Sequence, residues 1–401
     1  MATFYDYYVI NIFYNDTKID EISPEEYSFA ISDSIYNLYP TAMFTFHDIG
    51  GLFQEGLVTA PGAKVKIEYG DKDNLNTCEF TVLQDELLEP EHHTILSGYI
   101  DIPLIHAWYN DQEMISKGYQ DKISNIISDL TDKYNFEEVD IDETENNDYW
   151  LQTQETNAHF IKNTLLPNCF SVNANKTPFF AFITSDNIFH LRNYHSMSNQ
   201  KTYDKIIYKS HLVQEDNSNI IIKNRALHIK RWRESLKALF PHKNRKLFKI
   251  DRNDGTLVVE NDPMKNHPVK GGWSIPIMND TGNLNSYVNL QFTETSTGRK
   301  QNLTGQSITP LRDTLFIDYF QVIVSFNPII HSGGLIDLMV YMPNQNEEST
   351  KIAKNLAGKY LVLNCEHSWN HESLMGYTSM ILGRQYTQLP ESYVLKSRLI
   401  S

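Results

Sequence analysis

The clearest structural signal in this sequence is KYLVLNCEHSWN, residues 359–370, followed closely by MGYTSMILGRQY, residues 375–386. In the first segment, Leu361, Leu363 and Cys365 recur at every second position, which is the period of a strand. The second segment alternates in the same way, and polar residues lie between the two. The two segments therefore predict an antiparallel pair of strands, and we expect the C-terminal part of the chain to be β-structure.

The first hundred residues carry the same kind of signal. Aromatic and β-branched residues form short runs, separated by turn signals such as Gly50-Gly51 and Pro61-Gly62. The runs are VINIFYN, AMFTFHDI, KVKIEYG, CEFTVLQD and TILSGYID. Strands at this spacing predict a closed or nearly closed antiparallel barrel over residues 1–105, with a core supplied by an aromatic content of 12%.

Residues 106–200 predict an α+β insertion after this barrel. In YQDKISNIISDLTDKYNF the apolar residues recur at the spacing of one helix face. They are Ile123, Ile126, Ile127 and Leu130. Further along, FFAFITSDNIFHLRNY predicts a hairpin that turns at Ser185-Asp186-Asn187.

Between these elements lies DYWLQTQETNAHFIKNTLLPNCF, residues 148–170, which predicts a short helix with Thr156 or Asn157 as N-cap and Pro167 at its end. Phe160, Ile161 and Leu165 are expected to face inward. Two interpretations are open for this segment. It is either an active-site helix that carries Glu155 and His159, or a packing helix of a structural protein.

The rest of the chain predicts a second barrel that resembles the first. Strand signals cover 201–240 and 310–390, with a short helix predicted in STKIAKNLAG, residues 349–358. Residues 241–309 are rich in Gly, Asn and Thr and predict an inserted loop-rich domain, and 391–401 form a C-terminal tail. The predicted fold class is mainly β with α+β insertions, with two similar antiparallel β-barrel domains.

Composition narrows the class of protein. The chain has 401 residues, of which 41% are hydrophobic and 21% charged, as expected of a folded globular protein of two to three domains. No apolar run approaches the roughly 20 residues that span a bilayer, and the start has no signal-peptide pattern, so we expect folding in a cytoplasm. Cys78, Cys169 and Cys365 fit neither a disulfide framework nor a zinc pattern and are expected to be buried thiols.

Charge is unevenly distributed. The net charge of -15 disfavours a general nucleic-acid or membrane binder, and EEVDIDETENND, residues 137–148, is expected to be a solvated acidic loop. By contrast, residues 223–252 hold eleven Lys/Arg and two acids, a local balance of +9. Here HIKRWRESLKALF has apolar residues at helical spacing, and its basic residues are Lys230, Arg231, Arg233 and Lys237. This helix is interpreted either as a solvated or subunit-facing surface, or as a positive surface that meets phosphate.

Four clusters contain metal-binding residue types: His47-Asp48, Glu91-His92-His93, Asp140-Asp142-Thr144 and Glu366-His367-His371. The first two are expected in turns, the third lacks the Gly and Glu that a calcium loop needs, and the last lies on a predicted strand, where two histidines four apart do not share a helix face. The sequence also has no GxSxG motif and no glycine-rich phosphate loop. We therefore predict no catalytic, cofactor-binding or metal-binding residues.

Three longer segments, taken in order, carry a resemblance. They are YPTAMFTFHDIGGLFQEGLVTAPGAKVKIEYG, WLQTQETNAHFIKNTL and LAGKYLVLNCEHSWNHESLMGYTSMILGRQ. Together they resemble the baseplate hub family of contractile-tailed phages, whose relatives include the VgrG spikes of type VI secretion systems. The matching residues are Asp48, Pro61, Gly62, Val65 and Ile67 in the first, Gln152, Glu155, Thr156, Phe160 and Ile161 in the second, and Gly358, Tyr360, Val362, His367, Tyr377 and Arg384 in the third.

The resemblance implies a structural virion protein of the tail baseplate, assembled in the host cytoplasm. Such hubs are homotrimers whose two barrels per chain form a pseudo-hexameric ring, with the hexameric tail tube above, the trimeric central spike below and other baseplate proteins around it. The ring surrounds the channel through which genomic DNA passes. The basic segment has no match in the family motifs, and a separate hypothesis is that Lys230, Arg231, Arg233 and Lys237 line this channel. The matching residues would then serve packing, and Glu155 and His159 would not be catalytic.

Two other classes of protein stay open at this point. One is a virion-associated cell-wall hydrolase, although no segment is left for a separate catalytic domain. The other is a receptor- or glycan-binding tail-tip protein, to which the aromatic residues and residues 255–309 could be adapted.

Overall fold

The computed structural model describes residues 9–14, 17–18, 27–47, 62–71, 74–83, 86–88, 99–145, 147–169, 171, 177–209, 225–233, 246–251, 257–261, 292–295, 312, 315–316, 318–343, 350–353, 356–373 and 375–384. The strands are β1 Val9–Tyr14, β2 Thr17–Lys18, β3 Tyr27–Ser34, β4 Thr41–His47, β5 Lys64–Asp71, β6 Asn74–Val82, β7 Glu86–Leu88, β8 Tyr99–His106, β9 Ile115–Lys122, β10 Glu138–Ile141, β11 Asn147–Glu155, β12 Phe179–Ile183, β13 Ile188–Asn193, β14 Asp204–Lys209, β15 Ala226–Arg233, β16 Lys246–Asp251, β17 Leu257–Asn261, β18 Phe292–Thr295, β19 Asp318–Ser325, β20 Leu335–Pro343, β21 Thr350–Ile352, β22 Gly358–Asn370 and β23 Met375–Arg384. The α-helices are α1 Ile123–Thr131, α2 Asn157–His159 and α3 Tyr194–Asn199. A π-helix at Phe160–Leu165 and a 3-10 turn at Leu166–Asn168 continue α2, and a further 3-10 turn lies at Ala107–Asn110. The prediction of a mainly β fold is confirmed.

The N-terminal strands form one half of a 15-stranded sheet. Their order is β3, β4, β8, β6, β5, β1, β2, and the pairs along this path are antiparallel. Alternation buries one face of β3, β4, β5, β6 and β8, so that Phe29, Phe44, Ile67, Phe80 and Ile102 pack into one cluster. Among the described residues this half is not closed into a ring by hydrogen bonds.

The C-terminal strands do form a ring. The order β15, β19, β23, β22, β20, β14 is closed by a bridge between Ile207 and Arg225, which joins β14 to the residue before β15. One pair in the ring, β14 with β20, is parallel. Its interior holds a cluster that includes Phe320, Tyr360 and Met380. The ring agrees with the predicted second barrel, whereas two similar barrels stay a prediction.

A single strand connects the two halves. The 13-residue β22 pairs along its length with β23, and its other edge is divided between β20 and β3. Leu361 pairs with Leu335 of β20, and beyond an irregularity at Val362/Asn364 the strand pairs with β3, where Trp369 meets Phe29. Because both edges of β22 are hydrogen-bonded, the halves share one continuous backbone ladder.

The segment between the two halves is an α+β unit, as predicted. It contains a ribbon of β9 and β11, a three-stranded sheet in the order β10, β13, β12, and the helices. The predicted face of α1 is confirmed, because Ile123, Ile126, Ile127 and Leu130 are each at most 3% exposed. The predicted hairpin is also confirmed as β12 and β13. Its turn residue Asn187 has φ 64°, a conformation that Asn tolerates.

Three local predictions were wrong. Residues 228–233 of the predicted basic helix belong to strand β15, because pairing of β15 with β19 along seven positions satisfies the backbone and Trp232 stacks on Tyr319. The predicted helix at 349–358 begins as strand β21 on the edge of β20, followed by a turn. Part of the predicted acidic loop is strand β10, which pairs in parallel with β13.

The region predicted to be loop-rich, 241–309, contains a three-stranded sheet in the order β17, β16, β18. Because polar, turn-forming residues dominate this region, sequence periodicity does not distinguish its short strands from the loops around them. The predicted C-terminal tail, 391–401, lies outside the described residues. Within the described parts of the chain, none of the helices has the length and apolarity to cross a membrane.

Candidate functional site

The second sequence motif, which runs from Gln152 to Ile161, forms the transition from strand β11 to helix α2. Gln152 is fully buried, where its amide oxygen accepts a hydrogen bond from the Tyr119 hydroxyl at 2.9 Å and its amide nitrogen donates to the Glu155 carbonyl at 2.9 Å. Thr156 is the N-cap and accepts a hydrogen bond from the His159 amide at 3.2 Å. Phe160 is fully buried and stacks on Tyr119 with ring centroids 5.5 Å apart. The motif is therefore a packing and capping device, and Thr156 is the predicted cap.

Glu155 and His159, the candidate catalytic pair, contact each other at 2.6 Å between a carboxylate oxygen and Nδ1. The His159 side chain is 60% exposed and the pair lies one helical turn apart on the surface. A carboxylate at a helix N-terminus is favourable by itself, because it faces the positive end of the helix dipole. The structure thus gives the pair a local role in stabilising the start of the helix.

The third motif surrounds a buried carboxylate that sequence reasoning missed. Asp318, at the start of β19, is 0% exposed and contacts two guanidinium groups. Arg384 donates to it from Nε at 3.3 Å and Nη2 at 3.1 Å, and Arg231 from Nε at 2.8 Å and Nη2 at 3.1 Å. The only signal for it was an acidic residue directly before the apolar run YFQVIVSF.

This cluster also explains the motif residues Gly358 and Tyr360. The Arg384 guanidinium lies over the Tyr360 ring at 4.5 Å and donates to the Ala357 carbonyl at 3.3 Å. Gly358 adopts φ +135°, which a side chain would strain. The ion pairs of Asp318 and the contact of the Arg384 guanidinium with the Tyr360 ring stabilise these charged groups where they are buried, at the ends of the strands.

The fully buried His367 belongs to the interior of β22. Its Nε2 lies 3.0 Å from the Ile330 carbonyl oxygen and therefore carries a hydrogen, and its Nδ1 lies 3.1 Å from the Thr378 hydroxyl. Burial, together with the nearby His331, lowers the pKa of His367 to about 3. His367 is thus neutral in the fold and holds the 326–334 loop against β22.

His331 and Asp33 form the centre of a polar junction between all parts of the chain. Asp33 of β3 accepts hydrogen bonds from the Ser185 amide at 3.0 Å, the Ser185 hydroxyl at 2.8 Å and the Ser332 amide at 2.9 Å. His331 lies 3.4 Å from Asp33 through Nδ1 and 3.4 Å from Asp186 through Nε2. The junction therefore joins the first half, the hairpin turn of the insertion and the loop between β19 and β20.

The charges of this junction stabilise each other. Burial would raise the pKa of Asp33, but the hydrogen bond and charge of His331 and the Ser185 amide lower it to about 2. Burial opposes protonation of His331, yet Asp186 and Asp33 raise its pKa above the ordinary value. The result is a buried ion pair in which Asp33 also accepts hydrogen bonds from two backbone amides and the Ser185 hydroxyl, while Oδ1 of Asp186 is buried without a hydrogen-bond partner among the described residues.

Ser185, His331 and Asp33 are also the residue types of a hydrolase triad, but their geometry differs from one. The Ser185 hydroxyl donates to Asp33, accepts from the Tyr69 hydroxyl at 2.7 Å and lies 3.3 Å from Nδ1 of His331, but both nitrogens of His331 also face carboxylates. A triad needs the histidine to accept the serine proton and the serine to reach substrate. Ser185 is 0% exposed, so the arrangement serves to hold the junction.

The first motif is only partly described. Gly62 precedes β5 with φ +85°, and its amide donates to the Val82 carbonyl at 2.8 Å, so it turns the chain into the sheet. Asp48 and Pro61 lie outside the described residues. Val65 and Ile67 are buried in the first half, as a packing motif requires.

The candidate metal clusters separate in space. His367 points inward from β22, while His371 lies beyond the strand end, where its Nδ1 is 2.5 Å from the Ser28 hydroxyl. Asp140 contacts His190 and Arg192 across the sheet of β10 and β13. Among the described residues, no group of three potential ligands comes together. The residues Glu91-His92-His93 and Asp48 are not described.

The basic surface is different from the one predicted. Arg231 is engaged with Asp318, Lys230 lies on the opposite, exposed face of β15, and Lys237 is outside the described residues. Only the backbone of Arg233 is described, paired with Asp318. Of the four predicted channel residues, Lys230 is therefore the one whose described side chain projects its charge away from the sheet.

The three predicted thiols are buried, as expected. Cys78 lies in the core of the first half, Cys169 in the core of the insertion and Cys365 in the ring. Burial raises the pKa of the Cys78 and Cys365 thiols well above the ordinary value, so the reactive thiolate is disfavoured.

Comparison with solved structures finds the same fold in two proteins that are described as phage tail proteins. The fold is shared with the tail protein from Neisseria meningitidis MC58, at a TM-score of 0.55 and 9% identity, over 94% of this chain and 96% of that one. It is shared equally with the 43 kDa tail protein of prophage MuSo2 from Shewanella oneidensis, at a TM-score of 0.54, 9% identity and the same coverage.

A component of the type VI secretion system of E. coli matches with a TM-score of 0.45 and 7% identity, over 94% of this chain and 79% of that one. No protein-family model matches the chain, and no curated protein matches its sequence. The resemblance predicted from the three motifs is thus confirmed at the level of the fold.

Proposed function

We propose that this chain is a structural protein of a phage tail, located in the baseplate of the virion, where three copies form a hub. The observation that carries the proposal is the fold shared over 94% of the chain with two phage tail proteins. The buried junction supports the same conclusion, because its titratable groups hold segments together and are closed to a substrate.

In this proposal each chain contributes its two groups of strands to a ring of six similar units. Such a ring would join a hexameric tail tube on one side to a trimeric central spike on the other, with further baseplate proteins around it. The shared strand β22 suits this task, because it fixes the two groups of one chain relative to each other. Rings arise where a surface of one copy binds a different surface of the next.

The ring would surround a channel for genomic DNA, and Lys230 would face it. Lys230→Gln should leave particle assembly unchanged and slow DNA delivery, because a positive lining lowers the electrostatic cost of passing phosphate. Lys205→Gln on the exposed side of β14 is the matched control. Delivery at the wild-type rate in intact Lys230→Gln particles would remove Lys230 from the proposal.

The mass of the purified chain tests the hub itself. Light scattering over a range of protein concentrations should give a species of three times 46.5 kDa. Threefold assembly is required by the ring and by none of the enzyme or glycan-binding alternatives. A chain that stays monomeric at every concentration would contradict the proposal that it forms the ring by itself.

A further inference from the structure

The β9–β11 ribbon presents an uncharged outward face, which we call the ribbon face. Register pairs place Tyr149 opposite Gln120, Leu151 opposite Gly118 and Thr153 opposite Ser116, and paired residues lie on the same side of a sheet. Met114 continues this side by alternation. The ribbon face is defined by Met114, Ser116, Gly118, Gln120, Tyr149, Leu151 and Thr153. The next position on this side is Lys122, opposite Asn147; its charge is paired with Glu143, and the uncharged part of the face ends there.

Exposure of apolar side chains is concentrated on this face. Met114 is 65% exposed, Leu151 64% and Tyr149 63%, and among the described residues no other large hydrophobic side chain is as exposed. In a chain with a net charge of -15, an outward strand face of this length without a charge is unusual. Apolar side chains grouped on one surface are typical of a contact site.

Gly118 gives a second, independent indication. It lies in the middle of β9, opposite Leu151, and a Cβ placed there would meet no atom within 4 Å. Its backbone is not in the left-handed region, so neither space nor conformation inside the chain requires glycine. Glycine weakens a strand and often marks a place where another backbone or ligand approaches closely. The empty space over Gly118 thus fits a neighbour that packs against Leu151.

A complementary surface exists elsewhere on the same chain. The outer faces of β3, β4, β22 and β23 form an open groove of about 520 Å³, and none of its ten lining residues is charged. The residues that face outward there include Ser28, Ala30, Met43, Thr45, Ser368 and Tyr377. Uncharged residues make up both surfaces, so two copies of a strongly acidic chain could meet here without bringing like charges together.

We infer that the ribbon face of one copy packs into the groove of the next copy, with Leu151 and Tyr149 as the anchors. The two surfaces differ, so the contact is head-to-tail and repeats around a closed ring. The inference rests on the proposed hub function and names the surfaces through which its copies assemble. Apolar side chains in a closely packed and dry contact of this kind carry most of the association energy.

The experiment compares the mass of four variants by light scattering as the protein is diluted. Leu151→Asp places a charge on the ribbon face, Gly118→Val fills the space above it, and Met43→Glu places a charge in the groove. Each should raise the trimer dissociation constant at least about tenfold while circular dichroism and the melting temperature stay close to wild type. Leu83→Asp, at an exposed leucine outside both surfaces, is the matched control and should assemble normally.

Gly118→Val keeps the test independent of folding, because valine favours a strand and has room in the single chain. Trimers that survive dilution equally well in wild type, Leu151→Asp and Gly118→Val would overturn the ribbon face as the contact. If Leu151→Asp and Gly118→Val weaken the trimer but Met43→Glu does not, the groove is not the surface that the ribbon face binds. A monomeric wild-type chain would count against the proposed ring itself, which distinguishes that failure from the others.

Discussion

At the scale of single residues, the motif positions are explained by what their side chains hold in place. Gln152 satisfies three polar groups around the bulge before Glu155, Thr156 caps a helix and Phe160 fills a core. His367 and Arg384 act in the same sense, each closing a buried polar contact. Gln152, Phe160, His367 and Arg384 are buried, whereas Thr156 is partly exposed and acts through its cap hydrogen bond.

The first prediction concerns Phe160. Phe160→Ala should lower the free energy of unfolding by roughly 3 to 5 kcal/mol, because a fully buried aromatic ring leaves a cavity next to Tyr119. Urea denaturation followed by fluorescence measures it. The double variant Glu155→Gln, His159→Asn is the control and should lose far less, since the His159 side chain is mostly exposed. Similar losses in both proteins would contradict the packing role of this helix.

The second prediction concerns His367. Its pKa is about 3 in the fold and near its ordinary value when unfolded, so between these pH values the unfolded chain binds a proton that the folded chain does not. Stability should therefore fall as pH falls from about 6.5 toward 3, by up to roughly 1.4 kcal/mol per pH unit from this one group.

The His367→Asn protein tests this pH dependence. It should be less stable than wild type at pH 7, because its side chain cannot fill the same space between Ile330 and Thr378. The difference in free energy of unfolding between the variant and wild type should become smaller as the pH is lowered. Chemical denaturation at pH 7, 6 and 5 measures it. His159→Asn, at an exposed histidine, is the control. If the stability difference between His367→Asn and wild type is the same at every pH, His367 is not the group that causes the pH dependence.

At the scale of elements, local signals determined which predictions succeeded. The periodicity that predicted α1 and the β12–β13 hairpin is satisfied within a few residues of chain, so it could be recognised in the sequence. For β15, the apolar spacing fitted a helix, but pairing with β19, some ninety residues later in the chain, determines its conformation. Strand formation of this kind depends on tertiary partners more than on local preference.

The site was less predictable than the fold for the same reason. Asp33 and Ser185 are separated by 152 residues and Asp33 and His331 by 298, and the sequence shows nothing to connect them. The resemblance located Tyr360, His367 and Arg384 because they lie within one motif. The resemblance could not locate Asp318, the carboxylate that accepts hydrogen bonds from Arg384 and holds its side chain in position.

The third prediction concerns the ends of β15, β19 and β23, which meet at Asp318. Asp318→Ala should destabilise the chain by roughly 3 to 5 kcal/mol, because the buried guanidinium of Arg384 loses its partner. Arg231→Ala should cost less, since that side chain is 30% exposed and Arg384 still neutralises the carboxylate. Thermal melts of the two variants give the order, and a larger loss for Arg231→Ala would be inconsistent with Arg384 as the principal partner.

At the scale of the whole molecule, two groups of strands and an α+β insertion are joined by a polar junction and by one shared strand. The net charge of -15 means that copies of the chain repel each other at long range. Assembly must therefore rely on surfaces that carry little charge, as the ribbon face and the groove do.

The fourth prediction follows from this balance. Raising NaCl from about 0.05 M to about 0.5 M should strengthen trimer formation severalfold, because salt shortens the range of repulsion between the acidic copies. Sedimentation or light scattering at fixed protein concentration measures the change. If salt instead dissociated the trimer, ion pairs between copies would be its main support, and the basic strand β15 would be the first place to look for them.

The strand β22 has a consequence for how the protein is made. Its pairing with β3 joins residues 332 positions apart, as between Ser32 and Asn364. At a synthesis rate of about 5 to 20 residues per second, β3 leaves the ribosome roughly 15 to 65 seconds before its partner. During that interval one edge of the N-terminal sheet has no strand to bind, and an unpaired edge is prone to aggregation. Production of this chain should therefore depend on chaperones more than its final stability would suggest.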